Sequence, residues 1–215
     1  MPPVPESTPL LLLRHGQSEW NAVQRWQGVA DAPLSDLGRS QARFVGSVLA
    51  ERVSNAAGPL VGAWSSDLAR ANETARILAQ ALGLGDVKVD ERLREADVGE
   101  WEGLTSAEIE AAWPGYLQAR RRPPGFEPFD AVIARVVPAL HSIAAEAGGP
   151  ALVVAHSGVI RTIVHHLQGV DSRVPNLGGV WLAVGPAELA VTGEFDPTGE
   201  VGYSLETPSE APVAD

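Results

Sequence analysis

Two short segments, Arg14-His15-Gly16 and His156-Ser157-Gly158, each set a histidine among groups suited to an anion. A neutral imidazole is a competent nucleophile at phosphorus near neutral pH. The arginine beside His15 offers a planar fork for phosphoryl oxygens. The glycine after it has no Cβ, so backbone N–H groups can approach an anion. A lone His-Gly pair in a surface turn would carry no such meaning, and the reading needs further parts. Arg70, one turn into an expected helix, and His156, at the end of an expected strand, supply them. Phosphoryl transfer is largely positioning plus neutralisation of charge on the equatorial oxygens. Two arginines and two histidines around one phosphate provide that without a metal. Glu95, in Leu93-Arg94-Glu95-Ala96-Asp97, is the candidate acid for a leaving alkoxide, although most glutamates are only solvated surface carboxylates.

These residues need a scaffold, and the pattern around them describes one. Leu10 to Leu13 is an apolar run that reads as a buried strand feeding the His15 loop. Leu60 to Trp64 and Ala151 to Ala155 read as two more strands, feeding the loops at Ser65 to Arg70 and at His156. Ser35 is expected to cap a helix whose core face is Leu37, Gln41, Phe44, Val48 and Arg52. Ser65-Ser66-Asp67 is expected to cap a second, with Leu68, Ala71, Ala75, Leu78 and Leu82 inward. Thr105 and Glu108 have capping-box spacing for a helix reaching Trp113. A long helix is expected through Val132 to Ile143, an apolar helix after His156, and a hairpin from Val180–Val184 and Glu188–Thr192. Strands alternating with helices imply a three-layer α/β/α sandwich with a mainly parallel central sheet. In such sheets, sites lie beyond the carboxyl ends of the strands, where all three loops fall.

The expected boundaries are a flexible lead-in over 1–9, one domain over 10–193 and an acidic, loose tail over 194–215. With 16 basic and 27 acidic side chains the chain carries −11. That surface repels nucleic acid and anionic membranes, so any phosphate site must be a local basic pocket in an acidic body. The absence of cysteine excludes disulfides and cysteine nucleophiles and suits a reducing cytoplasm. No signal peptide or spanning segment is apparent. The six tryptophans are read as core. His141, His165 and His166 are read as surface or helix-packing residues.

Leu12-Leu13-Arg14-His15-Gly16-Gln17-Ser18-Glu19-Trp20-Asn21 resembles the signature of the histidine phosphatase superfamily, which includes the cofactor-dependent phosphoglycerate mutases. Four further stretches match in order. They are Gln27-Gly28 with Asp31 and Pro33-Leu34-Ser35; Ser65 to Arg70 with Thr74-Ala75; Leu93-Arg94-Glu95 with Gly99 to Gly103; and His156 to Arg161. The resemblance covers about residues 10 to 184 and implies roles. His15 would become the phosphohistidine. Arg14, Arg70 and His156 would hold the phosphoryl oxygens. Glu95 would be acid and then base. Asn21 and the backbone near Ser157 would help hold the phosphate, Gln27 would sit at the substrate mouth, and Gly28 would belong to the same substrate-binding set. No cofactor is implied.

Glu95 and His156 lie only 61 positions apart, which resembles the compact phosphatase branch rather than the mutases with their longer inserted segment. Val98 and Ser106 stand where mutases carry Tyr and Lys. Arg120-Arg121-Arg122 resembles instead the mutase arginine pair, so Arg121 and Arg122 are candidates for a second anionic group, with a solvated helix-end patch as the alternative. The expected activity is metal-independent hydrolysis of a small phosphorylated metabolite by a cytoplasmic monomer or homodimer. Broad-specificity phosphatases and glucosyl-3-phosphoglycerate phosphatases are the relatives suggested. A mutase-type phosphotransferase and a non-catalytic binder of phosphorylated ligands are the alternatives.

Overall fold

Each of the four leucines in Leu10 to Leu13 has no solvent exposure, because consecutive side chains of one strand serve two different cores. Leu10 and Leu12 point into one apolar cluster; Leu11 and Leu13 point into the other. Burial of a leucine side chain stabilises by about 1.5–3 kcal/mol, so this strand is a main anchor of the fold. The computed structural model describes residues 7–56, 58–171 and 173–197.

In chain order the elements are β1 (Thr8–Arg14), α1 (Glu19–Ala22), α2 (Asp36–Ala56), β2 (Ala63–Ser65), α3 (Ala69–Leu82) and β3 (Val87–Val89). Two 3₁₀ turns follow, Glu91–Leu93 and Gly99–Trp101. Then come α4 (Ser106–Ala112), α5 (Phe129–Ala147), β4 (Ala151–Ala155), α6 (Ser157–Gln168), β5 (Gly179–Val184) and β6 (Leu189–Phe195). The sheet order is β3-β2-β4-β1-β5-β6. β3, β2, β4 and β1 run parallel, while β5 and β6 add an antiparallel hairpin beside β1. Helices α5 and α6 cover one face and α2 and α3 the other, which is the expected three-layer sandwich. Among the described residues no helix is long and apolar enough to cross a membrane.

Several local expectations shift. β1 begins at Thr8, inside the stretch read as lead-in, because Thr8 and Pro9 pair with Val184 and Ala183. Residues 1–6 and 198–215, where the rest of the lead-in and most of the expected tail fall, lie outside the described residues. β3, not foreseen, is a three-residue edge strand. On α2 the buried face is Gly38, Gln41, Ala42, Val45, Gly46 and Leu49, while Leu37 is exposed. Close backbone approach sets that face: a Cβ on Gly38 would stand 2.0 Å from the Gln17 carbonyl oxygen. Ser35 does cap α2, its Oγ accepting from the Gly38 N–H at 3.0 Å. For α3 the expected cap is wrong. Asp67 is turned to Arg94, and the first-turn N–H of Ala69 is taken by the Asp31 carboxylate at 2.6 Å.

Candidate active site

Parallel pairing of β1 with β4 puts Arg14 opposite Ala155, so His15 and His156 leave neighbouring strand ends in the same direction. The His15 N–H continues the ladder to the Ala155 carbonyl at 3.1 Å. Their rings consequently meet edge to face, with centroids 5.1 Å apart and planes at 62°. His15 Nδ1 donates to the Gly16 carbonyl at 2.6 Å. That bond fixes the tautomer and leaves the basic lone pair of the ring on Nε2. Burial holds the His15 pKa well below 6.5, with Arg70 and then Arg14 adding to the effect. Burial does the same for His156, reinforced by Arg70, His15, Arg135 and Arg14. Both rings are therefore neutral near pH 7.

Both arginines expected at the site are buried, although the body is acidic: Arg14 is 2% exposed and Arg70 0%. Arg14 Nη1 donates to the Val174 carbonyl at 2.8 Å. Arg70 sits in the first turn of α3 and donates to the carbonyls of Ala30 at 2.6 Å and Gly28 at 2.8 Å. Burial lowers the Arg70 pKa to about 10, opposed chiefly by Glu95 and Asp31, so it stays charged. Arg70 Nε, both ring nitrogens of His156 and Ser157 Oγ are buried and have no hydrogen-bond partner among the described residues. Buried donors are normally satisfied. A neutral His156 ring carries one N–H, so these atoms supply three donors on residues that flank His15, and three donors there fit an oxyanion. His156 is the N-cap residue of α6, so the start of that helix adds its positive end to the same place.

Glu95 lies across this helix start. Its Oε2 accepts from the Gly158 N–H at 3.0 Å and its Oε1 from the Ala96 N–H at 2.9 Å. A Cβ on Gly158 would stand 2.4 Å from Glu95 Oε1, so the glycine leaves room for the carboxylate in this position. The structure thus brings Arg14, His15, Arg70, Glu95, His156 and Ser157 to one strand-end cluster. Asn21 serves α1 as the far half of a capping box, its Oδ1 accepting from the Ser18 N–H at 3.2 Å. Gln27 Oε1 accepts from Ser18 Oγ at 2.7 Å. Gly28 has φ +50° and is buried, and its carbonyl holds Arg70.

A smaller cluster of Val98, Trp101 and Ile109, with Trp26, Leu104, Trp113, Tyr116, Leu117 and Phe126 against it, forms the cap beside the site. The Thr105–Glu108 capping box is present as expected, and Arg25 ties this cap down through Glu108 and the Gly103 carbonyl. Arg121 is exposed and lies over the Tyr116 ring at 4.7 Å. Arg122 is half-buried over Phe126 at 4.5 Å, and burial lowers its pKa, with Arg161 and Arg120 adding to the effect. The two members of the expected pair are therefore not equivalent.

Sequence reasoning passed over three supporting residues. Thr74 Oγ1 accepts from the Gly16 N–H at 3.1 Å and donates to the Arg70 carbonyl at 2.6 Å. Asn176 Nδ2 donates to the His15 carbonyl at 2.9 Å, from a position with no exposure. Arg135 donates to three carbonyls of the Glu95 segment. Thr74 lay within a quoted stretch but without a role; the other two had no local signal.

The sequence model of the histidine phosphatase superfamily (branch 1) matches residues 10–178. A glucosyl-3-phosphoglycerate phosphatase of Mycolicibacterium vanbaalenii is 40% identical over 185 residues, covering 80% of this chain and 79% of that one. A 2,3-bisphosphoglycerate-dependent phosphoglycerate mutase 2 of Gloeobacter violaceus is 36% identical over 175 residues, covering 74% and 75%. The structure of a mycobacterial glucosyl-3-phosphoglycerate phosphatase with VO3 superposes with a TM-score of 0.73 at 33% identity, covering 88% of this chain and 98% of that one. The chain belongs to branch 1 of the histidine phosphatase superfamily, as a phosphatase of that type.

Proposed function

We propose that this protein hydrolyses a small phosphomonoester through a phosphohistidine on His15, without a metal. The observation that carries the reading is the His15 tautomer. Its Nδ1 proton is fixed on the Gly16 carbonyl, so Nε2 is presented as a neutral nucleophile. Nε2 attacks phosphorus in line with the ester oxygen, and a P–N bond forms as the P–O bond breaks. Glu95, protonated for this step, gives its proton to the leaving alkoxide. Arg14, Arg70, His156 and the α6 start with Ser157 neutralise the equatorial oxygens. The Glu95 carboxylate then takes a proton from water, which displaces His15 and releases phosphate. Two arginines supply the charge that a divalent ion supplies in metal-dependent phosphatases.

For the substrate we propose a phosphate ester bearing a second anionic group, of the glucosyl-phosphoglycerate kind. The glucosyl-3-phosphoglycerate phosphatase activity of its relatives and the half-buried Arg122 support this. Asn21, Gln27 and Gly28 are proposed to line the entrance and Arg121 to guide the anion from solvent. The test is a panel of phosphorylated metabolites, assayed with excess chelator and scored by kcat/KM. Carboxylate-bearing esters are expected to lead it. A panel led by neutral esters would remove Arg122 from substrate recognition, and the absence of any hydrolysis would remove the activity. The arginine pair also keeps a mutase reading in view; that reading requires transfer between phosphoglycerates, stimulated by a bisphosphate, to exceed hydrolysis.

A further inference from the structure

Arg135 stands on α5, outside every motif that the family resemblance quotes, and all of its donors are engaged. Nη1 donates to the Arg92 carbonyl at 2.8 Å and to the Arg94 carbonyl at 2.6 Å. Nη2 donates to the Glu95 carbonyl at 3.2 Å. Nε and Nη2 each meet the Glu127 carboxylate at 2.8 Å. Glu127 in turn grips the other side of Glu95: its N–H donates to the Asp97 carbonyl at 2.8 Å, and its Oε2 accepts from the Asp97 N–H at 3.3 Å. The short segment 92–97 is thus held at four residues by one ion pair.

That grip matters because Glu95 sits on no regular element. It follows a single 3₁₀ turn and precedes another, and its Oε1 leans on the N–H of its neighbour Ala96. Local backbone placement therefore decides where the carboxyl group points. α5 is the rigid body available, since Val132, Val136, Ala139 and Leu140 are each at most 1% exposed in the core. A guanidinium is suited to the task. Its donors lie in one plane at fixed angles, so several carbonyls are placed relative to one another.

We infer that Arg135, braced by Glu127, is a positioning residue that fixes the Glu95 carboxyl at the leaving-group side of His15. The inference rests on the reading of Glu95 as the acid. Arg135 touches no reacting atom, so its removal acts chiefly through Glu95, while the loss of its charge, felt at His156, bears on both ester classes alike. The nucleophile is left in place. It borders a cleft of about 660 Å³ with Arg92, Arg94, Phe126 and Glu127, so water can reach the carbonyls when the guanidinium is gone. The fold is expected to survive the change.

The experiment uses the full chain as wild type, Glu95→Gln, Arg135→Met and the double variant. Single-turnover phosphorylation of His15 is measured with 3-phosphoglycerate, an alkyl ester, and with p-nitrophenyl phosphate, whose leaving group needs no proton. A misplacement of ~1 Å costs about 10²-fold in rate, so Arg135→Met is expected to slow the alkyl ester by about 10–100-fold and the aryl ester by less than about 3-fold. In the Glu95→Gln background, Arg135→Met is expected to add less than about 3-fold on the alkyl ester, because residues acting as one unit are not additive. Equal slowing of both esters, or full additivity, would overturn the inference while Glu95 keeps its role. If Glu95→Gln itself fails to distinguish the esters, the acid reading falls and this inference with it. Should Arg135→Met not fold, Arg135→Lys carries the test. It keeps the charge and up to three donors and is expected to show a smaller bias of the same sign.

Discussion

Adding one methyl group at Gly158 separates the placement of Glu95 from the stability of the fold. The Cβ of Gly158→Ala would lie 2.4 Å from Glu95 Oε1, against 3.4–4 Å for ordinary contact, and the atom it meets is the far end of a flexible side chain. The carboxylate is the movable partner and must retreat by about 1 Å, which also loosens its bond to the Gly158 N–H. A shift of that size at an acid should cost ~10²-fold in the rate with alkyl esters. Stability should move little. Alanine in place of a helical glycine contributes up to ~1 kcal/mol, and the weakened hydrogen bond costs about as much. For a chain of this length ~1 kcal/mol is about 2–4 °C, so Tm should stay within about 4 °C of wild type. Steady-state kinetics on both ester classes beside a thermal melt make the test. Full activity on the alkyl ester would refute the reasoning, because the carboxylate position would then be irrelevant to the chemistry. So would equal slowing of the aryl ester, because the methyl group would then be disturbing the phosphate cradle.

The neutral histidines give a pH signature. Their folded pKa values are lowered well below 6.5, so the unfolded chain binds protons first on acidification, and stability must fall as pH drops below about 6.5. Each histidine contributes a slope of up to ~1.4 kcal/mol per pH unit, so denaturant titrations of His15→Ala between pH 6.5 and 5.5 should show a shallower loss than wild type; identical slopes would show that the His15 ring titrates normally in the fold. Excess chelator should leave kcat/KM unchanged, and loss of activity restored by Mg²⁺ would replace the arginine-based account. Asn176→Ala removes the buried donor to the His15 carbonyl and should cost about 1–3 kcal/mol in chemical denaturation, with kcat falling more than KM rises; unchanged stability would show that bond to be idle.

Where one stretch of chain carries its own physical signal, the sequence showed the structure. Leu10 to Leu13 and Ala151 to Ala155 read as strands because a parallel strand buried on both faces has no polar positions to alternate. His15 and His156 were recognisable as partners because they end two such strands. The capping box at Thr105 and Glu108 is a local hydrogen-bond exchange, and it is present as read. The misreadings have a common cause, which is contact across distance. The inward face of α2 is set by Gly38 and Gly46, whose merit is absence of bulk rather than hydrophobicity. α3 is capped by Asp31, which is 38 residues away. Arg135 lies 40 residues from the Glu95 carbonyl it holds, and Asn176 lies 161 from His15. β3 escaped notice because a three-residue edge strand with Lys88 at its centre has too few positions for a pattern.

In the proposed reaction the phosphoryl group passes through His15. The direct measurement is rapid quenching of turnover into alkali, where a phosphoramidate survives, followed by mass mapping of the peptides. Phosphate is expected on the peptide containing His15, formed at least as fast as product and discharged at the rate of turnover. Continued hydrolysis with no phosphate on His15 at any quench time would contradict it, and would mean that water attacks the substrate directly.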